Sequence, residues 1–246
     1  MYISHRRREA LCSLASVLAL GLCAASLLAP QSVRADSLTF STEDHPIGPG
    51  PNQGWWAPVG TAFSNIDPNK NIDLIDQTAN NLRLRNFFTF FIAPYSGSAE
   101  SAMLVFAPVT SAAYSPLNEA TETIGFFDVS TPAATLNFTQ GQSNAIYNDL
   151  GSGVQYGSAV VSENAFPDTV LIVKLNASAL AAIDAARGGY FSIGGALLTS
   201  DGDDSMSFGG PIVKLNVQTA PLPPAATAGI VLMGGLAFRR RSRRDR

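Results

Sequence analysis

Cysteine is almost absent from this 246-residue chain, and the two that occur, Cys12 and Cys23, both lie near the N-terminus. The remaining chain therefore has no disulfide framework, no thiol nucleophile and no cysteine-ligated zinc or iron–sulfur site. Histidine is as scarce: His5 and His45 are the only two. A Ser–His–Asp site or a histidine-rich metal centre has almost nothing to draw on. Positive charge is also missing from the middle. Residues 36–220 hold three arginines and three lysines against seventeen acids, whereas residues 1–35 and 221–246 are both net basic. So acidic a body cannot displace counterions from phosphates, which argues against a nucleic-acid partner, and it is not drawn to an anionic bilayer by charge. No Gly-x-Ser-x-Gly surrounds Ser192, and Gly194-Gly195 sits in a strand-like run rather than in a phosphate loop.

What is present begins with two apolar ends. His5-Arg6-Arg7-Arg8 precedes twenty uncharged residues, 10–29, and Val33-Arg34-Ala35 then places small or modest side chains before Asp36. That is the order of a secretory signal peptide cleaved between Ala35 and Asp36 by signal peptidase. An uncleaved anchor is the alternative, since twenty helical residues reach about 30 Å. At the other end Pro221, Leu222, Pro223 and Pro224 lead into an uncharged stretch, 225–238, closed by Arg239, Arg240, Arg241 and three further arginines. As a helix the stretch would be about 21 Å long, short for a bilayer core, with arginines able to snorkel on the cytoplasmic side. The expected organisation is a signal peptide over 1–35, one domain over 36–220 and a membrane-engaging segment over 221–246.

The tail resembles the PEP-CTERM class of bacterial sorting signals, in its Val-Pro-Leu-Pro-Ala-Ala variant. Pro221-Leu222-Pro223, the alanines after them, the apolar run with Gly234-Gly235 and the arginine cluster carry the likeness. Ala220 stands where the variant has Val, and Pro224 is an additional proline. The resemblance implies export in a Gram-negative bacterium, handling by an exosortase-type membrane protease, and association with exopolysaccharide or biofilm. It implies a route, the cell envelope or extracellular matrix, and no activity.

The body reads as short apolar runs separated by turn residues. Strands are expected at 38–40, 59–63, 82–92, 102–109, 123–129, 135–139, 154–161, 169–176, 190–198 and 212–217, with 41–56 as a proline- and glycine-rich loop. The paired phenylalanines within 82–92 break strict alternation and predict a bulge or burial on both faces. One helix is expected over 178–186, capped by Asn176 or Ser178 and ended by Gly188, with a shorter helix or turn at 144–150. Many strands and one short covering helix give an all-β fold, a β-sandwich of jelly-roll type. Residues 84–90, 175–197 and 207–210 are similar to secreted β-sandwich proteins, including PEP-CTERM-bearing ones and, distantly, DNRLRE-type jelly-roll modules. That likeness implies adhesion, sugar binding or structural spacing.

Each candidate site has a plainer reading beside it. Trp55 and Trp56 would stack on a sugar ring if exposed, or plug one end of the sandwich if buried. Arg83 and Arg85 share a strand face and would meet an acidic polysaccharide, or remain solvated and paired with acids. Asp201, Asp203 and Asp204 gather hard oxygens around Gly202, which suits a structural Ca2+ and equally a solvated turn; no other cofactor is implied. His45 beside Glu43 and Asp44 suits acid–base work or simply a polar surface loop. Asp128, Asp149, Glu163 and Asp168 are acids available for glycoside hydrolysis, but nothing pairs two of them. The sequence therefore favours a non-enzymatic exported surface or matrix protein. A carbohydrate-binding module for exopolysaccharide and a polysaccharide-acting enzyme are the alternatives.

Overall fold

The structure is a computed structural model and describes residues 35–65, 72–106, 113–115, 120–162, 170–208 and 212–220. The two terminal apolar runs, and the acids Glu163 and Asp168, lie outside the described residues. Among the described residues twelve strands make two antiparallel sheets. The four-stranded sheet has the order β1 (Ser37–Ser41), β12 (Val213–Thr219), β5 (Ala99–Phe106), β9 (Leu171–Leu175). The larger sheet runs β6 (Ala113–Ser115), β11 (Asp203–Ser207), β3 (Asp73–Gln77), β4 (Leu82–Ile92), β10 (Gly189–Leu197), β7 (Thr121–Asp128), β8 (Gln155–Ser162), and β2 (Gln53–Trp56) also pairs with β4. The all-β sandwich expected from the sequence is the architecture found.

Alternation explains how the sheets meet. Phe88, Phe90 and Ile92 of β4 join Ile124 and Phe126 of β7, Leu104 and Phe106 of β5, and Val213, Leu215 and Val217 of β12 in the main core. The ring of Phe106 reaches Phe88 edge-on at 5.3 Å and Phe126 at 5.8 Å, so aromatic contacts bridge the two sheets. The intervening residues of β4 face the other way, and they too are covered. Phe87 lies in a second core with Trp56, Leu136, Ile146 and Leu150. Burial on both faces, not a bulge, is why β4 carries consecutive phenylalanines.

Two short helices make that second cover, α1 (Ala133–Phe138) and α2 (Asn144–Asp149). Helix α1 stands where alternation in Thr-Leu-Asn-Phe-Thr predicted a strand. Pro132 presets the backbone at its start, the amides of Thr135 and Leu136 both bond to the Pro132 carbonyl, and two alanines follow that favour helix. Ser143 caps α2 by accepting from the Ile146 amide at 3.3 Å. The third helix, α3 (Ala177–Ala185), matches its expectation: Asn176 caps Ala179 N–H at 3.2 Å, Ala179 and Ile183 enter the main core, and Gly188 takes φ +77° past the end.

Other expectations shift. Residues 59–63 form turns rather than a strand, while β2 arises inside the stretch read as loop. Among the described residues no helix is long and apolar enough to cross a membrane. Ala35–Ala220 forms one compact unit by itself.

Candidate functional site

Strand alternation separates the two tryptophans. Trp56 lies opposite Arg85 and Trp55 opposite Asn86, so the indoles point to opposite faces of β2. Trp56 is buried beneath α1 and donates its indole N–H to the Leu136 carbonyl at 3.3 Å, while Trp55 is half-buried. They form no common platform for a sugar ring. The two arginines also part company. Arg85 donates to the carbonyls of Tyr147 and Asn148 at 3.0 and 3.4 Å, and its guanidinium lies 4.3 Å over the Tyr147 ring. It thereby satisfies the Tyr147 carbonyl at the end of α2 and adds to the amide bonds that the Asn148 carbonyl already accepts from Leu150 and Gly151. Gly151 leaves it room, because a Cβ there would come within 2.6 Å of the guanidinium carbon. Arg83 is exposed, opposite Asp76 on β3.

The acids named from sequence are mostly engaged. Asp149 accepts from the amide and hydroxyl of both Ser130 and Thr131, at 2.6–3.3 Å. Burial pushes its carboxyl up, but those four bonds outweigh it and hold the group below the ordinary carboxylate range. Asp128 accepts from the Tyr156 hydroxyl at 2.6 Å; burial, then that bond, raises the tyrosine above its usual value. Ser192 bonds side chain to side chain with Thr89, 2.9 Å across the strand pair, beneath α1. His45 has φ +50°, its ring centroid lies 4.1 Å from that of Phe91, and its carbonyl accepts from Asn52 and from the Tyr190 hydroxyl. Asp44 beside it accepts from the Ser41 amide at 2.8 Å.

The aspartates around Gly202 do not converge. Asp201 is exposed in the turn, and Asp203 and Asp204 point to opposite sides of β11, half-buried and buried respectively. Asp204 instead lies close to Glu122, a residue the sequence reading passed over. Its signal was the spacing Glu122, Ile124, Phe126, which places all three on the core face of β7. Glu122 is fully buried, and one of its carboxylate oxygens, Oε1, accepts from Thr123 N–H, Thr199 N–H and the Thr199 hydroxyl at 3.0, 2.9 and 2.6 Å. Its Oε2 has no hydrogen-bond partner, nor has Oδ2 of Asp204. Burial raises the Asp204 carboxyl, the Ser200 hydrogen bond opposes this, and the charge of Glu122 raises it further. Among the described residues no group of three or more His, Cys, Asp or Glu side chains is arranged to hold a metal. A cation here would need neutral oxygens beside the two carboxylates.

An open groove of about 510 Å3 runs along β8 and β9, lined by Gln155, Tyr156, Ser158, Lys174 and Asn176 among others. Gly157 allows the two strands to approach, since a Cβ there would meet the Lys174 carbonyl at 2.7 Å. Val160 and Ile172 on these same strands are more than half exposed. Among the described residues Lys174 is the only charged one lining it, and the Tyr156 hydroxyl is already held by Asp128.

No protein-family model matches the chain, and no curated protein matches it in sequence.

A final cluster guards the point where the described chain ends. The Asp184 carboxylate accepts from the Tyr95 hydroxyl, the Ala99 amide and the Arg187 guanidinium, and Arg187 also donates to the Gly97 carbonyl and stacks 4.1 Å over Tyr95. Ala220 N–H bonds to the Ser98 carbonyl, and the Ala220 carbonyl passes so close to Gly97 that no side chain fits there. Asp36 and Thr219 exchange bonds through Thr219 N–H to Asp36 O at 3.0 Å and Asp36 N–H to Thr219 Oγ1 at 3.2 Å. The first and last described residues thus emerge at one corner.

Proposed function

We propose that the chain is an exported protein of the bacterial envelope or extracellular matrix whose sandwich serves a structural or adhesive role without catalysis. In this reading residues 1–35 direct export and are removed by signal peptidase. Residues 221–246 engage the inner membrane and are processed at Pro221–Pro224 by an exosortase-type protease. The observation that carries it is the shared corner. With Asp36 and Ala220 side by side, both flanking segments leave the domain at the same corner. The Asp184–Arg187–Tyr95 cluster braces that junction. Sequential strands falling in different sheets, as β4 and β5 do, and the neighbour order β1-β12-β5-β9 support a jelly-roll-like description.

The commitments of the candidate site residues favour this role over sugar recognition. Trp56 and Arg85 hold α1 and α2 in place, leaving Arg83 as the exposed member of the four. Removing residues 221–246 from the encoded protein tests the reading. Export should continue, with the truncated chain found in the soluble fraction outside the cytoplasm instead of retained with the membranes. Retention equal to that of the intact chain would remove the role given to the tail.

A further inference from the structure

Two buried carboxylates, Glu122 and Asp204, stand near enough for the charge of one to act on the other, in a body with only six basic side chains, and each has one oxygen with nothing to bond. Glu122 is 0% and Asp204 1% exposed. An unpaired buried charge is strongly unfavourable, and two of like sign are worse, unless a proton or a cation intervenes. No lysine or arginine is among the influences on Asp204, which are Ser200, Glu122 and Asp201 beside burial itself. The loop above is held in one shape. The amide and hydroxyl of Thr199 bond to Glu122, Gly202 N–H bonds to Ser200 Oγ at 3.1 Å, and Thr78 N–H bonds to the Gly202 carbonyl at 2.7 Å. Gly202 has φ +100°, and a Cβ there would lie 2.8 Å from Thr78 Oγ1. A hydrogen-bonded turn rich in hydroxyl and carbonyl oxygens thus bonds to one half-used carboxylate at its start and leads straight into the strand that carries the other.

We propose that Glu122 and Asp204 together bind one Ca2+ beneath the 199–202 turn, joining the end of β7 to the start of β11. The free carboxylate oxygens supply the charge, and hydroxyl or carbonyl oxygens of the turn, with water, complete the shell. Ca2+ suits the site because it accepts six to eight oxygens in irregular arrangements. Mg2+ demands octahedral geometry and keeps its water, and zinc prefers nitrogen and sulfur ligands. Asp203, on the other side of the strand, takes no part.

Thermal melting of the purified full chain, stripped with chelator and then titrated with Ca2+ or Mg2+, is the test, with equilibrium dialysis against radioactive Ca2+ beside it. One Ca2+ per chain is expected. At a hundred times Kd the Tm should rise by about 5–10 °C, while Mg2+ has little effect. Glu122→Gln should reverse the order of stabilities. In chelator it melts at or above the parent, because a buried charge is removed; in Ca2+ it melts below, having lost the response. Asp204→Asn should lose the response too, and Asp203→Asn should keep it. The proposal is overturned if the parent chain binds no Ca2+, including the case in which its Tm rises on acidification alone and the pair merely shares a proton. It is equally overturned if Asp203→Asn abolishes the response while Glu122→Gln and Asp204→Asn preserve it. Should either core variant fail to fold, the dialysis count on the parent still decides. None of these outcomes bears on where the protein is sorted.

Discussion

Individual carboxylates pull stability in opposite directions with pH. Asp149 and Asp184 are held below their ordinary range: burial raises each, but the bonds from Thr131 and Ser130 to Asp149, and from Tyr95, Arg187 and Ala99 to Asp184, prevail. A carboxyl whose folded pKa is depressed stabilises the fold above its unfolded value, and that contribution disappears as pH falls through the folded one. Thr131→Val, which removes one of those bonds, should cost about 1 kcal/mol at pH 7 and nothing at a pH low enough to protonate Asp149, as read by denaturant melts at both. Asp73 behaves conversely. Burial lifts it, the Ser207 bond offsets only part, and Oδ1 has no partner. A raised folded pKa gives a contribution present below the unfolded value and lost as pH rises through the folded one. Asp73→Asn should therefore raise Tm at pH 7 and leave it unchanged near pH 3. A uniform fall at both would contradict the assignment.

Among the secondary-structure elements, the glycines of β10 show how the two cores are kept close. A Cβ on Gly194 would lie 2.4 Å from the Leu150 carbonyl, at the end of α2, and one on Gly195 would lie 2.1 Å from Asn86 Oδ1 on the neighbouring strand. One glycine admits the helical cover and the next admits a buried asparagine, so the pair is a packing device on both faces. Gly194→Ala should cost about 1–3 kcal/mol by forcing α2 away from the sheet, checked by chemical denaturation. The sequence made the long strands legible because their signal is local: 82–92 has aromatic and β-branched density, and Asn176 with Gly188 brackets α3. Helix α1 was misread because alternation over five residues cannot outweigh a proline at the cap followed by two alanines. Strands β3 and β11 were missed because they are short and rich in acids, and β2 because it is four residues inside a proline- and glycine-rich stretch whose partner on β4 lies some thirty positions on. The same distance hid Glu122 beside Asp204, eighty-two positions apart in sequence. Trp55 and Trp56 looked like a pair, yet adjacency in a strand means opposite faces.

For the molecule as a whole, charge and topology lead to the same account. An acidic sandwich lies between two basic, apolar termini, and β1 against β12 brings the points of attachment to one corner. Such a body gains nothing from contact with an anionic surface, and in the proposed function membrane attachment falls to the segments that flank it. Intact mass of the native protein, taken from each cell fraction, tests this most directly. The account predicts a chain that begins at Asp36 and is found in the envelope or outside the cell, with a C-terminus near Pro221–Pro224 once the tail has been processed. Recovery of the undivided 246-residue chain from the cytoplasm, free of membrane, would contradict it.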